Sequence, residues 1–429
     1  TRRPHTCNPP EPITWLLRIP SMRSTRAELT LLKATDRRRY LSFRPPGRTC
    51  AASTSLGQVF FCAFLAWFAI APLLPEIQRT LNLSREQLWN SSICSVAAGV
   101  VFRVIAGPLS DKYGARWIMG IFLVAAGLPC MCTGLVESAA GLSVLRTIIG
   151  IGGATFVPMQ YWTSSMFTKE VAGTANSLAA GWGNLGGGIT QILIGSILLP
   201  LFKVIYGETD PSEPAEKSWR TVCVVPGFIC CVLAFCLVRY SDDCPKGNYR
   251  KRKRLGLMPS VSAGKSLQAA SRDRNTWLLI FQYACCFGVE LTMSNAAVLY
   301  FTVQFGQSIE SASAIASIFG WMNLFARGLG GFTSDMMNAS KGMRGRLIFQ
   351  SISLACQGCF VVVFGYTKSL GGAIATMIVF SFFVQASEGA IYAVVPYVRP
   401  PVTGSVAGLV GAGGNLGGVV FSIIFRYYQ

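Results

Sequence analysis

Arg103 and Arg327 lie within long apolar stretches, and each opens the same phrase. RVIAGPLSD (Arg103 to Asp111) and RGLGGFTSD (Arg327 to Asp335) both spell R-x3-G-x2-S-D, 224 residues apart. A charge at the centre of a membrane helix costs roughly 2.5–3.5 kcal/mol by insertion scales, so two retained at matching places need a task. A guanidinium keeps its charge and offers a planar, bidentate fork of donors, which suits a flat oxyanion. The bland alternative is that each arginine pairs with a buried acid and locks the fold. Glu290 and Glu388 lie deep enough for that, and together they could neutralise both.

A second phrase also occurs twice, GNLGG at Gly183–Gly187 and at Gly414–Gly418. Its glycines let helix backbones approach closely. Asn184 and Asn415 put an amide, donor and acceptor at once, at the same point of each copy, where it could donate to an anion held by the arginines. Tyr283, Phe287 and Glu290 are spaced i, i+4, i+7 and share one helical stripe. A hydroxyl, a ring and a carboxyl on one face could shape an anion site and hold a proton, although Phe287 alone reads as core. A buried carboxylate needs a proton or a partner, which makes Glu290 and Glu388 the proton-coupling candidates. The single histidine is His5, so an imidazole relay is excluded. Gly99 and Gly107 flank Arg103, and Asn323 and Gly331 flank Arg327, at four residues either side. That spacing leaves room beside each guanidinium. Asp111, Lys112 and Arg116, with Asp335 in the second copy, sit where charged pairs would latch neighbouring helices and gate them.

These residues need a scaffold, and the composition supplies it. The 429 residues are 51% hydrophobic and only 13% charged, against about 25% charged in soluble proteins. Apolar stretches read as eleven spans near 56–75, 89–110, 117–136, 142–167, 172–199, 219–240, 275–303, 310–332, 345–365, 370–398 and 403–427. The fold class is therefore all-α and polytopic. The domains are a basic tail (1–55, a targeting, disordered or mis-joined segment), a bundle (56–240), a basic linker (241–274) and a second bundle (275–429). Most of the 38 Lys and Arg fall in the tail, the linker and the loops on one side, which places the N-terminus in the cytoplasm. The opposite loop, Pro200–Ser218, is acidic. The net charge of +19 is thus a topology signal near a lipid bilayer and not a nucleic-acid footprint. Most of the fifteen cysteines sit in apolar runs, and no metal array or P-loop exists. No cofactor is expected, and no enzyme. Residue 1 is Thr and the chain stops at Gln429, so a symmetric architecture expects a twelfth helix beyond it.

GPLSDKYGAR (Gly107–Arg116) resembles the loop motif of the major facilitator superfamily. AAGWGNLGGGITQ and GAGGNLGGVVF look like the paired nitrate signatures of its nitrate/nitrite porter family. FVPMQYWTSSMF, FGVEL, SEGAIYAVVP and NLFARGLGG further resemble eukaryotic high-affinity nitrate transporters. The resemblance implies two six-helix bundles around a central cavity, with nitrate held between Arg103 and Arg327. It assigns the signature asparagine to Asn184, repeated at Asn415, and the substrate-contacting tyrosine to Tyr283. It implies nitrate, nitrite and protons as partners, symport at the plasma membrane and, for some members, a small accessory membrane protein. A nitrate/nitrite exchanger without proton coupling, or a nitrate-binding sensor, are the alternative readings.

Overall fold

The computed structural model describes residues 47–209, 214–241, 262–307 and 309–428. Every regular element among them is helical. Ten helical stretches among the described residues are long and apolar enough to cross a membrane. Spans 1 to 6 are Gly57–Thr80, Arg85–Tyr113, Ala115–Leu135, Ala139–Met166, Lys169–Glu208 and Pro214–Tyr240. Span 7 is Arg274–Asn295, within a helix that continues to Phe305. Spans 9, 10 and 11 are Met343–Tyr366, Leu370–Val398 and Pro400–Ile424. Span 8 joins Ile309–Met322, a π-helical turn at Asn323–Arg327, and Gly328–Lys341. Residues 1–46 of the expected basic tail (1–55) and the basic run at Arg250–Arg254 lie outside the described residues, and the rest of that tail belongs to the helix Gly47–Phe68. A short connector helix, Ala263–Ser271, precedes span 7.

Local chemistry sets these boundaries. Ser84 opens span 2 with a capping box, in which its hydroxyl accepts from Gln87 N at 3.2 Å and Gln87 Oε1 accepts from Ser84 N at 2.9 Å. Gly114 separates spans 2 and 3 at φ +89°, and Gly342 separates spans 8 and 9 at φ +64°. Only glycine adopts such angles without strain. The acidic loop expected over 200–218 is mostly helix, Leu199–Thr209 and Pro214–Val222. Span 5 continues through a π-helical stretch, Gln191–Leu198, and Lys203 of the extension pairs with Glu76 of span 1. That pairing accommodates charge in a segment that composition alone assigned to a loop.

Glycine determines which helices cross closely. A methyl at Gly408 of span 11 would lie 2.6 Å from the carbonyl oxygen of Arg103, and one at Gly107 of span 2 would lie 2.5 Å from that of Gly404. The other crossing repeats the design. A methyl at Gly181 of span 5 would stand 2.4 Å from Asn323 O of span 8, and one at Gly331 would stand 2.3 Å from Gly173 O. Spans 2 and 11, and spans 5 and 8, are therefore in backbone-to-backbone contact.

The GNLGG phrases face the first helix of their own set. Gly186 packs on Phe61 O and Gly183 on the Phe60 ring of span 1; Gly417 packs on Ala284 O and Gly414 on the Tyr283 ring of span 7. Gly408→Val should lower stability by about 1–3 kcal/mol, the usual cost of overpacking. The thermal unfolding midpoint of the detergent-solubilised chain reads it, and an unmoved midpoint would contradict the close crossing.

Candidate functional site

Both arginines are buried, at 0% and 1% exposure, so neither turns toward lipid. Their surroundings differ. Arg103 donates from Nε to Gly153 O at 3.0 Å and from Nη1 to Gly411 O at 2.9 Å. Gly153 lies in the 3-10 stretch Gly150–Thr155 of span 4, outside regular α-helical geometry. The guanidinium carbon is 5.0 Å from the Phe156 ring centroid and 4.9 Å from that of Phe287. Such contacts attract a cation without neutralising it. No described carboxylate lies within 4 Å of Arg103, and its Nη2 has no hydrogen-bond partner.

Arg327 is instead fully engaged. Its Nη2 abuts Glu388 Oε2 and donates to the Tyr283 hydroxyl at 3.2 Å; its Nη1 donates to Asn323 Oδ1 at 3.2 Å and lies 3.9 Å from Glu290 Oε2. Two acids that could have served both arginines thus converge on one. The matched pair of open cations expected from the repeat is absent from this conformation. The π-helical turn at Asn323–Arg327 places the amide and the guanidinium on one side of span 8, four residues apart.

The expected stripe on span 7 is realised. Tyr283 and Phe287 stack at 5.2 Å with 6° between planes, and Glu290 continues their face toward Arg327. Two aromatics were missed. Phe156 of span 4 lies nearly parallel to Tyr283 and Phe287, at 6.2 and 6.5 Å, and its ring is also 6.0 Å from the Arg327 guanidinium carbon. Tyr392 of span 10 meets Phe156 edge-on at 4.8 Å and Tyr283 at 5.1 Å. Tyr392 is four residues after Glu388, a helical-face signal that could have found it. Phe156 follows a glycine run and carries no comparable signal.

The asparagines do not meet the guanidiniums. Asn184 Nδ2 donates to Glu290 Oε1 at 3.4 Å, and Asn415 Nδ2 donates to Val96 O at 3.1 Å. The physical reason is that an amide N–H needs an acceptor, which a carboxylate and a helix carbonyl supply and a guanidinium does not. The glycines flanking the arginines also serve packing: a methyl at Gly99 would lie 1.8 Å from Asn415 Nδ2, and Gly107 faces Gly404. Span 11 therefore fills the space expected beside Arg103. A cavity lies farther along spans 5, 7 and 8, lined by Asn184, Gln191, Phe287, Glu290, Ser294 and Asn323 among others. It reaches Glu290, and neither guanidinium lines it.

The two aspartates end the repeated phrases at the opposite side from this cavity. Asp111 accepts from Gly404 N and Ser405 N, each at 2.9 Å, from Ser405 Oγ at 2.8 Å and from Ser266 Oγ at 2.5 Å. It caps the start of span 11 and ties in the connector helix. Asp335 accepts from Gly173 N at 3.2 Å and from Thr174 N and Oγ1 at 2.6 Å, capping the start of span 5, and pairs with Arg346 at 2.6 Å. Arg116 donates to Ser241 O at the end of span 6. Both aspartates thus cap helix starts and satisfy orphan N–H groups at both crossings, and Asp335 adds an ion pair.

Residues 57–422 match the Major Facilitator Superfamily. The chain is 37% identical over 366 residues to high affinity nitrate transporter 2.5 of Arabidopsis thaliana, covering 85% of this chain and 72% of that protein. The chain belongs to the nitrate/nitrite porter family of that superfamily. It is 35% identical to nitrate transporter 2.1 of Chlamydomonas reinhardtii, over 85% of this chain and 66% of that one. It is 26% identical to the nitrate/nitrite transporter NrtP of Nostoc punctiforme, over 85% of each. These relatives are named transporters, not enzymes. Among solved structures, the proton:xylose symporter XylE superposes with TM-score 0.62 at 13% identity, covering 89% of this chain and 90% of that one. A bacterial homologue of the lysosomal transporter Spinster gives 0.61 at 17%, covering 90% and 83%. These two establish the shared fold.

Asp111→Ala should expose the first amides of span 11. Hydrogen exchange at Gly404 and Ser405 should accelerate at least tenfold, since a hydrogen bond to a charged group is worth roughly 1.5–3 kcal/mol and 1.4 kcal/mol is tenfold. Unchanged exchange in the peptide spanning 400–410 would rule out the capping role.

Proposed function

We propose that this protein carries nitrate and nitrite into the cell by alternating access, coupled to protons. The observation that carries the reading is Arg103, buried and charged, with one guanidinium nitrogen unused and no described carboxylate beside it. Neutral carbonyls and ring faces hold it, so its charge stays available to an incoming anion. Nitrate is flat and accepts two parallel N–H donors, as a guanidinium presents them. The rings of Phe156 and Phe287 are near-parallel, with centroids 6.5 Å apart, and both flank the Arg103 guanidinium, an apolar surround that suits a planar solute. The nitrate transporters similar to this chain along most of its length support the same substrate.

In this reading the anion bridges Arg103 and Arg327 once an acid on Arg327 yields, which joins the two halves across the site. The basic-residue distribution assigns the Asp111 and Asp335 end to the cytoplasm. The two caps then keep that side shut, and parting them delivers the anion inward. An inside-negative potential opposes anion entry by about 2.3 kcal/mol per charge per 100 mV. Uptake is therefore electrically favoured only with more than one proton per anion, and Glu290 and Glu388 are the groups placed to carry them. The plasma membrane is the expected location, with a cytoplasmic N-terminus and a small accessory membrane protein as an expected partner.

Arg103→Lys keeps the charge but loses the planar fork that serves Gly153 O, Gly411 O and the free position. Saturable uptake of isotope-labelled nitrate should fall by about 100-fold or more, corresponding to roughly 3 kcal/mol of lost binding, while surface expression persists. Near-normal uptake by this variant would remove Arg103 from the site.

A further inference from the structure

The two acids on Arg327 are not equivalent, and the difference assigns them separate tasks. Glu388 is completely buried and abuts Nη2, with no opening toward the cavity. Glu290 lines the cavity. Its Oε1 is held by Asn323 Nδ2 at 2.8 Å and Asn184 Nδ2 at 3.4 Å. Its Oε2 accepts no hydrogen bond and stands 3.9 Å from Arg327 Nη1. One oxygen is fixed by amides, while the other accepts from no donor and faces the guanidinium beside the Glu388 carboxyl.

We propose that Glu290 is an internal stand-in for the transported anion at Arg327, and that its protonation from the cavity vacates that position. This rests on reading the centre as a nitrate site. Charge balance carries the argument. Arg103 and Arg327 contribute two positive charges, Glu290 and Glu388 two negative ones, and the remaining titratable groups facing them are Tyr283, Tyr392 and Cys286. Adding one nitrate leaves the buried cluster one charge negative, and one proton on Glu290 Oε2 restores neutrality. The proton comes from cavity water as the O–H bond forms. The amides keep holding Oε1, Arg327 Nη1 loses its anionic neighbour, and nitrate takes that place. Release of the anion returns the carboxylate to Arg327 and the proton to water. Glu388 remains the counter-ion of Arg327 during this one-proton binding step. Asn323 and Asn184 are positioning residues that keep Oε2 turned toward the guanidinium.

The test uses the purified full chain in weakly buffered detergent with a pH indicator. Adding nitrate to the unmodified protein should draw about one proton per bound anion, and nitrate affinity should weaken about tenfold per pH unit above the titration of the site. In Glu290→Gln the proton uptake should vanish and the affinity should lose its pH dependence; Glu290→Asp, which keeps a carboxyl, should restore both. Nitrate binding to the unmodified protein without proton uptake overturns the proposal, whatever the variants do. Full proton uptake by Glu290→Gln overturns it as well. If the unmodified protein binds no nitrate at all, the substrate reading itself has failed, which is a distinct outcome.

Discussion

Burying two guanidiniums within one membrane-embedded centre is the constraint around which the rest of this structure is arranged. Each would be prohibitive alone, and the fold stabilises them by different means. Arg327 receives carboxyls from spans 7 and 10, an amide from its own helix and a phenol. Arg103 receives two helix carbonyls and two ring faces, all formally neutral. A cation balanced by acids holds structure together, whereas one held by dipoles and rings keeps an unspent field. The centre is asymmetric in charge although the chain that builds it is repeated.

The repeat persists in the scaffold. Each arginine helix ends in an aspartate that caps the GNLGG helix of the other half, and each GNLGG phrase packs on the first helix of its own half. The two phrases are therefore complementary parts of one joint. Glycine supplies the closeness and aspartate the polar closure, and neither alone would bring two helix starts together in a dry interface.

Much of this was legible in the residues. Apolar runs gave the spans, and two duplicated phrases gave the equivalence of helices 2 and 8 and of 5 and 11, although the crossings themselves join 2 with 11 and 5 with 8. The buried acids and the Tyr283, Phe287, Glu290 stripe followed from spacing. What stayed hidden depends on distances between segments remote in the chain. Nothing local states that both Glu290 and Glu388 reach Arg327, or that Asn184 turns to a carboxylate. Phe156 is an ordinary aromatic until the irregular turn before it places its ring against both cations. The helical stretch after Leu199 was misread because charged residues suggested a loop, whereas Lys203 finds its partner on span 1.

The tight contact of Gly107 and Gly408 lies between Arg103 and Asp111 on one continuous helix, next to Pro108, whose missing N–H removes a hydrogen bond from the same turn. Eight residues of helix separate guanidinium from carboxylate, a length of about 12 Å. One helix thus carries the buried cation, its close crossing with span 11 and the carboxylate that seals the start of that same span, so all three contacts bear on a single pair of segments.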